Sequence, residues 1–338
     1  MRALAITINR LLAFFNIAIS RKSTLDYFKK TAAESDSRHA AIIAEHATYV
    51  SQFASMTAER DGYRSAYEEI STRLAYSERD ATLHLNAYRQ APPRLRARQL
   101  CFMHIGKTAG TSLQHLLRET LEATPVYTGS PEDFDTIEAG KLDHYGLILG
   151  HFCYRHTAKF RKERYLVTFL RDPVNRVLSN YYFLRGWKGE IYKGNKEMLE
   201  AAQRLSLENF LKCDLPQVRS VTTNHQTLFL AADFRTPGDP NDVHLRENAI
   251  YNLRQFDFVG ITEAYEESAA LLFADLGLPL PSKLEVLNVT EDRISANQIP
   301  PETRRMIEKL NVLDCAIYAE ARKIFEQQKM HPNNNLAI

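Results

Sequence analysis

The chain has 338 residues, enough for a domain with a sizeable core and an additional segment. Hydrophobic residues make up 44% and charged residues 25%, which are ordinary fractions for a soluble protein. The formal net charge is +2, so composition provides no general attraction to nucleic acid, and any basic surface must be local. The four cysteines lie far apart and form no C-x-x-C pair, so we expect neither a metal site nor a disulfide framework.

Residues 1–22 are predicted to form an amphipathic apolar helix. Ala3–Ile19 is apolar but slightly short for a membrane span, and Asn9, Arg10 and Asn16 interrupt it. The pattern favours a helix that lies in a membrane interface or packs on another helix. We therefore expect a cytoplasmic protein that is peripheral at the membrane. A Golgi-type, signal-anchored lumenal protein is the alternative.

A helical stalk is predicted over residues 31–90, which contain no proline and one glycine, Gly62. Positions 42–88 carry an imperfect heptad seam, which is typical of a weak coiled coil and predicts a homo-oligomer. A helix packed against its own globular domain is the alternative. Pro92-Pro93 ends the helix, and the basic segment Arg94–Arg98 leads into the next strand.

An anion-binding loop is predicted at Gly106–Ser112. Gln99–Ile105 has the length of a buried strand, and Ser112–Leu121 carries leucines at helical spacing, with Thr111 or Ser112 as the N-cap. A strand, a small-residue loop and a helix N-terminus direct backbone N–H groups and the helix dipole at one point. The pattern therefore indicates a phosphate-type cradle.

The loop is not a complete Walker motif. Lys107 follows Gly106 as in a nucleotide-triphosphate P-loop, but Cys101 stands where that motif needs another glycine. A P-loop-type kinase or NTPase is therefore the weaker enzymatic alternative. Outside enzymes, the alternative is a non-catalytic coiled-coil assembly protein with a degenerate nucleotide fold.

Two further apolar strands are predicted at Tyr145–Leu149 and Tyr165–Leu170, and Thr124–Asp143 is predicted to be a loop-rich crossing. Strands that alternate with helices predict an α/β fold, here a three-layer, P-loop-like parallel sheet flanked by helices. Ligands in such sheets gather at the carboxyl ends of the strands. His151 and Arg171 stand at those ends, which makes both of them candidate functional residues.

Together these motifs resemble PAPS-dependent sulfotransferases of the uronyl, or heparan-sulfate 2-O, carbohydrate branch. The chain reads His104-Ile105-Gly106-Lys107-Thr108-Ala109-Gly110-Thr111-Ser112 where that branch has H-I-P-K-T-G-G-T-S. It has a Gly-His pair at 150–151, and residues 171–181 match the R-D-P-x-x-R-x-x-S-x-Y form of the 3′-phosphate signature. The resemblance covers residues 98–328, which leaves 329–338 as a flexible tail.

The resemblance implies transfer of the sulfuryl group from PAPS (3′-phosphoadenylyl sulfate) to a hydroxyl of a glycan or glycolipid, with release of PAP and without a metal. It implies that His151 is the general base and that Lys107 balances charge on the phosphosulfate. Arg171 and Ser179 match the residues that hold the 3′-phosphate. The residues that would cradle the 5′-phosphosulfate are Lys107, Thr108, Ala109, Gly110, Thr111 and Ser112.

Other basic residues allow two interpretations. Arg176, inside the second motif, is expected on the surface or paired within its own helix. Nine cations follow His151 and the second motif, and they either line a groove for an anionic glycan or form ordinary solvated surface: Arg155, Lys159, Arg161, Lys162, Arg164, Arg185, Lys188, Lys193 and Lys196.

Overall fold

A computed structural model of the protein describes Leu95, residues 98–122, 124–189 and 196–231, Arg235, residues 242–281, Leu284 and residues 294–331. The predicted helix at 1–22, the stalk at 31–90 and all but the first residues of the tail at 329–338 lie outside this part of the chain. None of the described helices is long and apolar enough to cross a membrane.

The described strands form one five-stranded parallel sheet, which confirms the predicted α/β class. Its order is β2-β3-β1-β4-β5. The strands are β1 (Gln99–Met103), β2 (Val126–Gly129), β3 (Leu147–Gly150), β4 (Arg164–Leu170) and β5 (Phe258–Ile261).

Helices alternate with these strands and continue beyond them. In the first half they are α1 (Gly110–Thr120), α2 (Pro131–Thr136), α3 (Pro173–Arg185), α4 (Lys196–Arg204), α5 (Leu207–Leu211) and α6 (Pro216–Thr222). The second half contains α7 (His225–Ala231), α8 (Val243–Leu253), α9 (Tyr265–Leu276), α10 (Pro301–Leu310) and α11 (Val312–Met330). Short 3₁₀ helices cover Ala139–His144, Tyr154–Lys159 and Thr262–Ala264.

Helices cover both faces of the sheet because the strands are apolar on both sides. Cys101 and Met103 of β1 face a cluster that includes residues of α7, α8 and α11. Leu100 and Phe102 face a second cluster built with α1 and α9. Successive strand residues point to opposite faces, so an uninterrupted apolar run is what a central parallel strand requires. Full burial of one such side chain stabilises the fold by about 1.5–3 kcal/mol.

The strand order places a crevice at the carboxyl ends of β1 and β4. From β1 the chain continues toward β2 and β3, whereas from β4 it continues toward β5 on the other side. Such a reversal is where ligands bind in open parallel sheets. Lys107 follows β1 and Arg171 follows β4, so the topology brings the two predicted nucleotide-binding segments together.

The predicted loop-rich crossing over Thr124–Asp143 is wrong in part, because it contains β2 and α2. β2 has four residues, none of them fully buried, so it carries no apolar periodicity that would identify a strand. α2 begins with a reciprocal capping box, in which the Ser130 side chain accepts from the Asp133 N–H and the Asp133 carboxylate accepts from the Ser130 N–H. This turn brings Ser130 and Asp133 to the carboxyl end of the sheet.

Candidate active site

The loop after β1 has the backbone geometry of an anion-binding nest. Lys107 (φ 72°) and Ala109 (φ 62°) both adopt left-handed conformations, which are uncommon for residues with a side chain. Such conformations cost on the order of 1–3 kcal/mol each and concentrate at functional sites. They fold successive N–H groups into a concavity that suits an anion.

The predicted N-cap at Thr111 or Ser112 is wrong. α1 begins earlier, at Gly110, and its N-cap residue is Ala109, which provides no side-chain cap. The left-handed turn at Ala109 carries the chain directly from the loop into the helix. The loop and the positive end of the α1 dipole therefore form one continuous surface.

The three hydroxyl residues of the loop have different environments. The Thr108 hydroxyl donates to the Ile105 carbonyl over 2.9 Å, and its side chain is fully buried. Ser112 is buried as well, and its hydroxyl bonds to that of Tyr265. Thr111 is exposed and lines a cavity at the end of the sheet. Thr108 and Ser112 therefore stabilise the loop with their side chains.

Gly110 is required by the close approach of a histidine ring. A Cβ at Gly110 would lie 1.9 Å from Cδ2 of His104, so no other residue fits there unless the ring moves. The His104 ring stacks on Phe102 on one side (5.7 Å between centroids) and on His151 on the other (4.3 Å). Gln114 Nε2 donates to His104 Nδ1 over 3.2 Å, which fixes the ring from α1.

His151, directly after β3, has the arrangement that a general base needs. Its Nδ1–H donates to the His104 carbonyl over 2.7 Å, so Nε2 carries the lone pair. Burial lowers the His151 pKa, which keeps the ring neutral near pH 7. The preceding residue, Gly150 (φ 154°), has no room for a Cβ, which would lie 2.4 Å from the Gly129 carbonyl oxygen.

A cavity of about 340 Å³ opens beside His151, between the start of α1 and the ends of β2 and β3. Its lining combines hydroxyl, amide and imidazole groups with one carboxylate. The lining residues are His104, Thr111, Gln114, Thr128, Gly129, Ser130, Asp133, Gly150 and His151.

Arg171, directly after β4, joins the two predicted nucleotide-binding segments. Its Nη1 donates to the Lys107 carbonyl over 3.0 Å. Gln226 of α7 holds the backbone of Arg171 from both sides, because its Oε1 accepts from the Arg171 N–H and its Nε2 donates to the Arg171 carbonyl, each over 2.9 Å. Ser179 is buried about two turns into α3. No motif of the sequence predicted that Gln226 would hold Arg171.

A buried polar network supports Gln226. Asp314 of α11 accepts from the Gln226 N–H over 3.1 Å, and from the N–H and hydroxyl of Thr227. Arg176 was expected on the surface or paired within its own helix, and both expectations are wrong, since its side chain is fully buried and donates to the Val221 carbonyl of α6. Burial lowers the Arg176 pKa to about 10, while the charge of Asp314 acts in the opposite direction.

Lys107 makes a contact that the sequence did not predict. Its Nζ lies 3.7 Å from the centroid of the Phe183 ring on α3, within cation–π range. Phe183 thus ties the loop lysine to the helix that carries Ser179.

Two other titratable residues near the site have structural roles. His156 is buried, its Nε2–H donates to Asp135 over 2.8 Å, and its Nδ1 accepts from the Cys153 N–H over 2.8 Å. Glu263 accepts from the Asp172 N–H at the start of α3 and from the Tyr318 hydroxyl. These bonds engage both side chains, so neither competes with His151 for the role of base.

Four histidines, three of them buried and His151 partly buried, should make the fold sensitive to acid. Burial lowers the pKa of His104, His151, His156 and His225, so they stay neutral in the folded protein, whereas the unfolded chain binds protons below about pH 6.5. We expect the free energy of unfolding to be constant above pH 6.5 and to fall below it. The slope is at most about 1.4 kcal/mol per pH unit for each histidine. Asp314, whose pKa is raised by burial, opposes this slope.

Urea denaturation between pH 7.5 and 5.5 measures this effect. Stability that does not change over this pH range would contradict the prediction.

The fold and the site define a class of protein: an α/β protein in which a loop with the backbone geometry of an anion nest, a basic residue and a neutral histidine follow the carboxyl ends of three parallel strands. A family model described as "Sulfotransferase family" matches residues 95–319, about two-thirds of the chain. The chain therefore belongs to the sulfotransferase family, and the resemblance predicted from the motifs is confirmed.

Curated proteins with similar sequences are also named sulfotransferases. Heparan-sulfate 6-O-sulfotransferase 2 of Danio rerio is 27% identical over 281 residues, which cover 68% of this chain and 58% of that protein. Heparan-sulfate 6-O-sulfotransferase 3 of Mus musculus is 27% identical over 203 residues (53% of this chain and 40% of that protein). Heparan-sulfate 6-O-sulfotransferase 1 of Homo sapiens is 26% identical over 279 residues (68% and 66%).

These relatives are named 6-O-sulfotransferases, whereas the motifs resemble those of the related 2-O branch. The chain spans about half the length of the first two relatives, 58% and 40%.

Proposed function

We propose that this protein is a PAPS-dependent O-sulfotransferase that transfers the sulfuryl group to a hydroxyl of a glycan and releases PAP. One observation carries the proposal: the hydrogen bond from Arg171 to the Lys107 carbonyl joins the two predicted nucleotide-binding segments at the crevice of the sheet. Family membership and the names of the relatives support the same reaction.

The loop and α1 suit the phosphosulfate end of PAPS. The nest at Lys107–Ala109 and the N–H groups at the start of α1 would bind the 5′-phosphosulfate, and Thr111 would add a hydroxyl. Thr108 would contribute its backbone, because its hydroxyl is bonded to the Ile105 carbonyl. Arg171 and Ser179 would hold the 3′-phosphate, with Arg171 as a charge-assisted donor.

The chemistry follows from the position of His151. Its Nε2 would accept the proton of the acceptor hydroxyl while the acceptor oxygen bonds to sulfur. The bond between sulfur and the bridging phosphate oxygen breaks, and PAP leaves with the negative charge. Lys107 would balance this charge as it develops. The proton then passes from His151 to solvent.

The predictions of membrane contact, cellular location and homo-oligomer formation stay predictions, because they concern residues outside the described part of the chain. Residues 1–22 bear on membrane contact and on the choice between a cytoplasmic and a Golgi-type lumenal location. Residues 42–88 bear on homo-oligomer formation.

Calorimetry with PAP and with ATP tests the proposal against the kinase or NTPase alternative. We expect PAP to bind much more tightly than ATP, because Arg171 and Ser179 would contact a 3′-phosphate that ATP lacks. ATP binding at the same affinity as PAP would favour the alternative.

Arg171→Ala should weaken PAP binding by about tenfold or more, since a charge-assisted hydrogen bond contributes about 1.5–3 kcal/mol. Adenosine 5′-phosphate, which lacks the 3′-phosphate, should lose much less affinity. The matched control is Arg254→Ala, which removes an arginine that pairs with Glu320 on α11. Equal weakening of both nucleotides by Arg171→Ala would mean that Arg171 does not bind the 3′-phosphate.

A further inference from the structure

The cavity beside His151 is lined by groups that suit sugar hydroxyls. Thr111, Thr128 and Ser130 provide exposed hydroxyls, and Gln114 provides an amide. Arg118 Nη2 donates to the Thr128 Oγ1 over 2.8 Å, so the hydroxyl hydrogen of Thr128 remains able to donate elsewhere. The volume, about 340 Å³, is at the lower end of small-ligand pockets, so the cavity suits the single sugar that reacts.

Asp133 gives this lining a negative charge. Hydrogen bonds from Ser130 hold the Asp133 pKa below its usual range, so its carboxylate is ionised near neutral pH. Burial lowers the pKa values of His104 and His151, so both rings are neutral. Asp133 is therefore the one formally charged residue in the lining.

The basic residues that could recognise an anionic glycan lie elsewhere. Eight of the nine cations considered from the sequence are described, and none of them lines the cavity. Arg155 and Arg161 pair with aspartates, and Lys159 donates to three backbone carbonyls. Arg185 donates to a tyrosine hydroxyl and to backbone carbonyls beside α4. Other groups of the fold therefore engage these four residues, which favours the interpretation of them as ordinary surface.

From this lining we infer that the sugar that reacts beside His151 is uncharged, and that Asp133 determines this preference. The inference rests on the proposed function. A hydroxyl of a neutral sugar can donate to the Asp133 carboxylate, whereas a carboxylate or sulfate on the same sugar meets a like charge. Sugars farther along a glycan lie outside the cavity and can carry charge.

A matched pair of acceptors tests the inference. One is an oligosaccharide made only of glucuronate, in which every sugar carries a carboxylate, and the other is the same oligosaccharide after its carboxylates have been reduced to alcohols. Transfer from labelled PAPS should have a kcat/KM about tenfold higher for the reduced acceptor, because a carboxylate on the reacting sugar meets the like charge of Asp133. A preference of the wild-type protein for the glucuronate form would overturn the inference.

Two variants test whether Asp133 causes the preference between the two acceptors. Asp133→Asn keeps an oxygen that can accept from the Ser130 N–H, so the start of α2 should remain capped. It should bring the ratio between the two acceptors close to one and leave PAP affinity unchanged. Arg118→Gln should leave the ratio as in wild type. An unchanged ratio in Asp133→Asn, or a changed ratio in Arg118→Gln, would overturn the assignment to Asp133.

Transfer to neither acceptor, with PAP still bound, would count against both the subsite and the proposed glycan acceptor. Absence of PAP binding would instead contradict the proposed function at its nucleotide site.

Discussion

His151→Ala should lower the rate of sulfuryl transfer by about 10²–10⁴ while leaving PAP affinity nearly unchanged. The hydrogen bond from Nδ1 to the His104 carbonyl leaves the lone pair on Nε2, and the ring lines the cavity predicted to admit the acceptor. Loss of the ring therefore removes the proton acceptor. It does not remove any predicted contact to the nucleotide. Single-turnover transfer at saturating PAPS, beside calorimetry of PAP, measures both quantities.

The control for this variant is His115→Ala, which removes a partly exposed histidine that pairs with Glu119 on α1. It should transfer at the wild-type rate. The wild-type rate itself should fall only below the usual pKa range of histidine, because burial lowers the His151 pKa and the neutral form is the active one. Near-wild-type transfer by His151→Ala would exclude His151 as the base.

Lys107→Ala should reduce both PAPS affinity and turnover, with a loss in kcat of about 10²–10³, the usual effect of removing one preorganised electrostatic group. The charge of Lys107 would interact with the donor before transfer and more strongly as the leaving phosphate becomes negative. Alanine already occupies a left-handed position two residues later, so the loop backbone can tolerate it here. Steady-state kinetics with PAPS as the varied substrate measures both effects.

Phe183→Leu is the matched control for Lys107, since it removes the ring over which Nζ lies and keeps the charge. Its effect on kcat should be much smaller. If Lys107→Ala lowers affinity but leaves kcat unchanged, Lys107 binds the donor without stabilising the transition state.

The central strands could be predicted because each is an apolar run buried on both faces. β1, β3 and β4 fall where the sequence indicated, and the loop between β1 and α1 follows from them. β2 was missed, because its four partly exposed residues carry no such pattern. The start of α1 was misplaced, because the left-handed turn at Ala109 has no residue-type signature and alanine is not a usual N-cap.

Local motifs also predicted the individual site residues but not the residues that hold them. Lys107, His151 and Arg171 stand directly after strands, and the resemblance to sulfotransferases supplied their expected roles. Gln226 contacts Arg171 from 55 positions away, so only the folded chain brings them together. The burial of Arg176 was not predicted for a similar reason, since it depends on contacts with later elements, including the Val221 carbonyl.

Identifying the products formed from labelled PAPS and a glycan tests the central claim most directly. The wild-type protein should yield one PAP for each sulfuryl group found on a glycan hydroxyl by mass spectrometry. His151→Ala should bind PAPS but yield neither product on the same time scale. PAP binding without transfer to any hydroxyl by the wild-type protein would contradict the account and favour a non-catalytic assembly protein. Phosphate transfer from ATP to the same acceptors would contradict it in favour of a kinase.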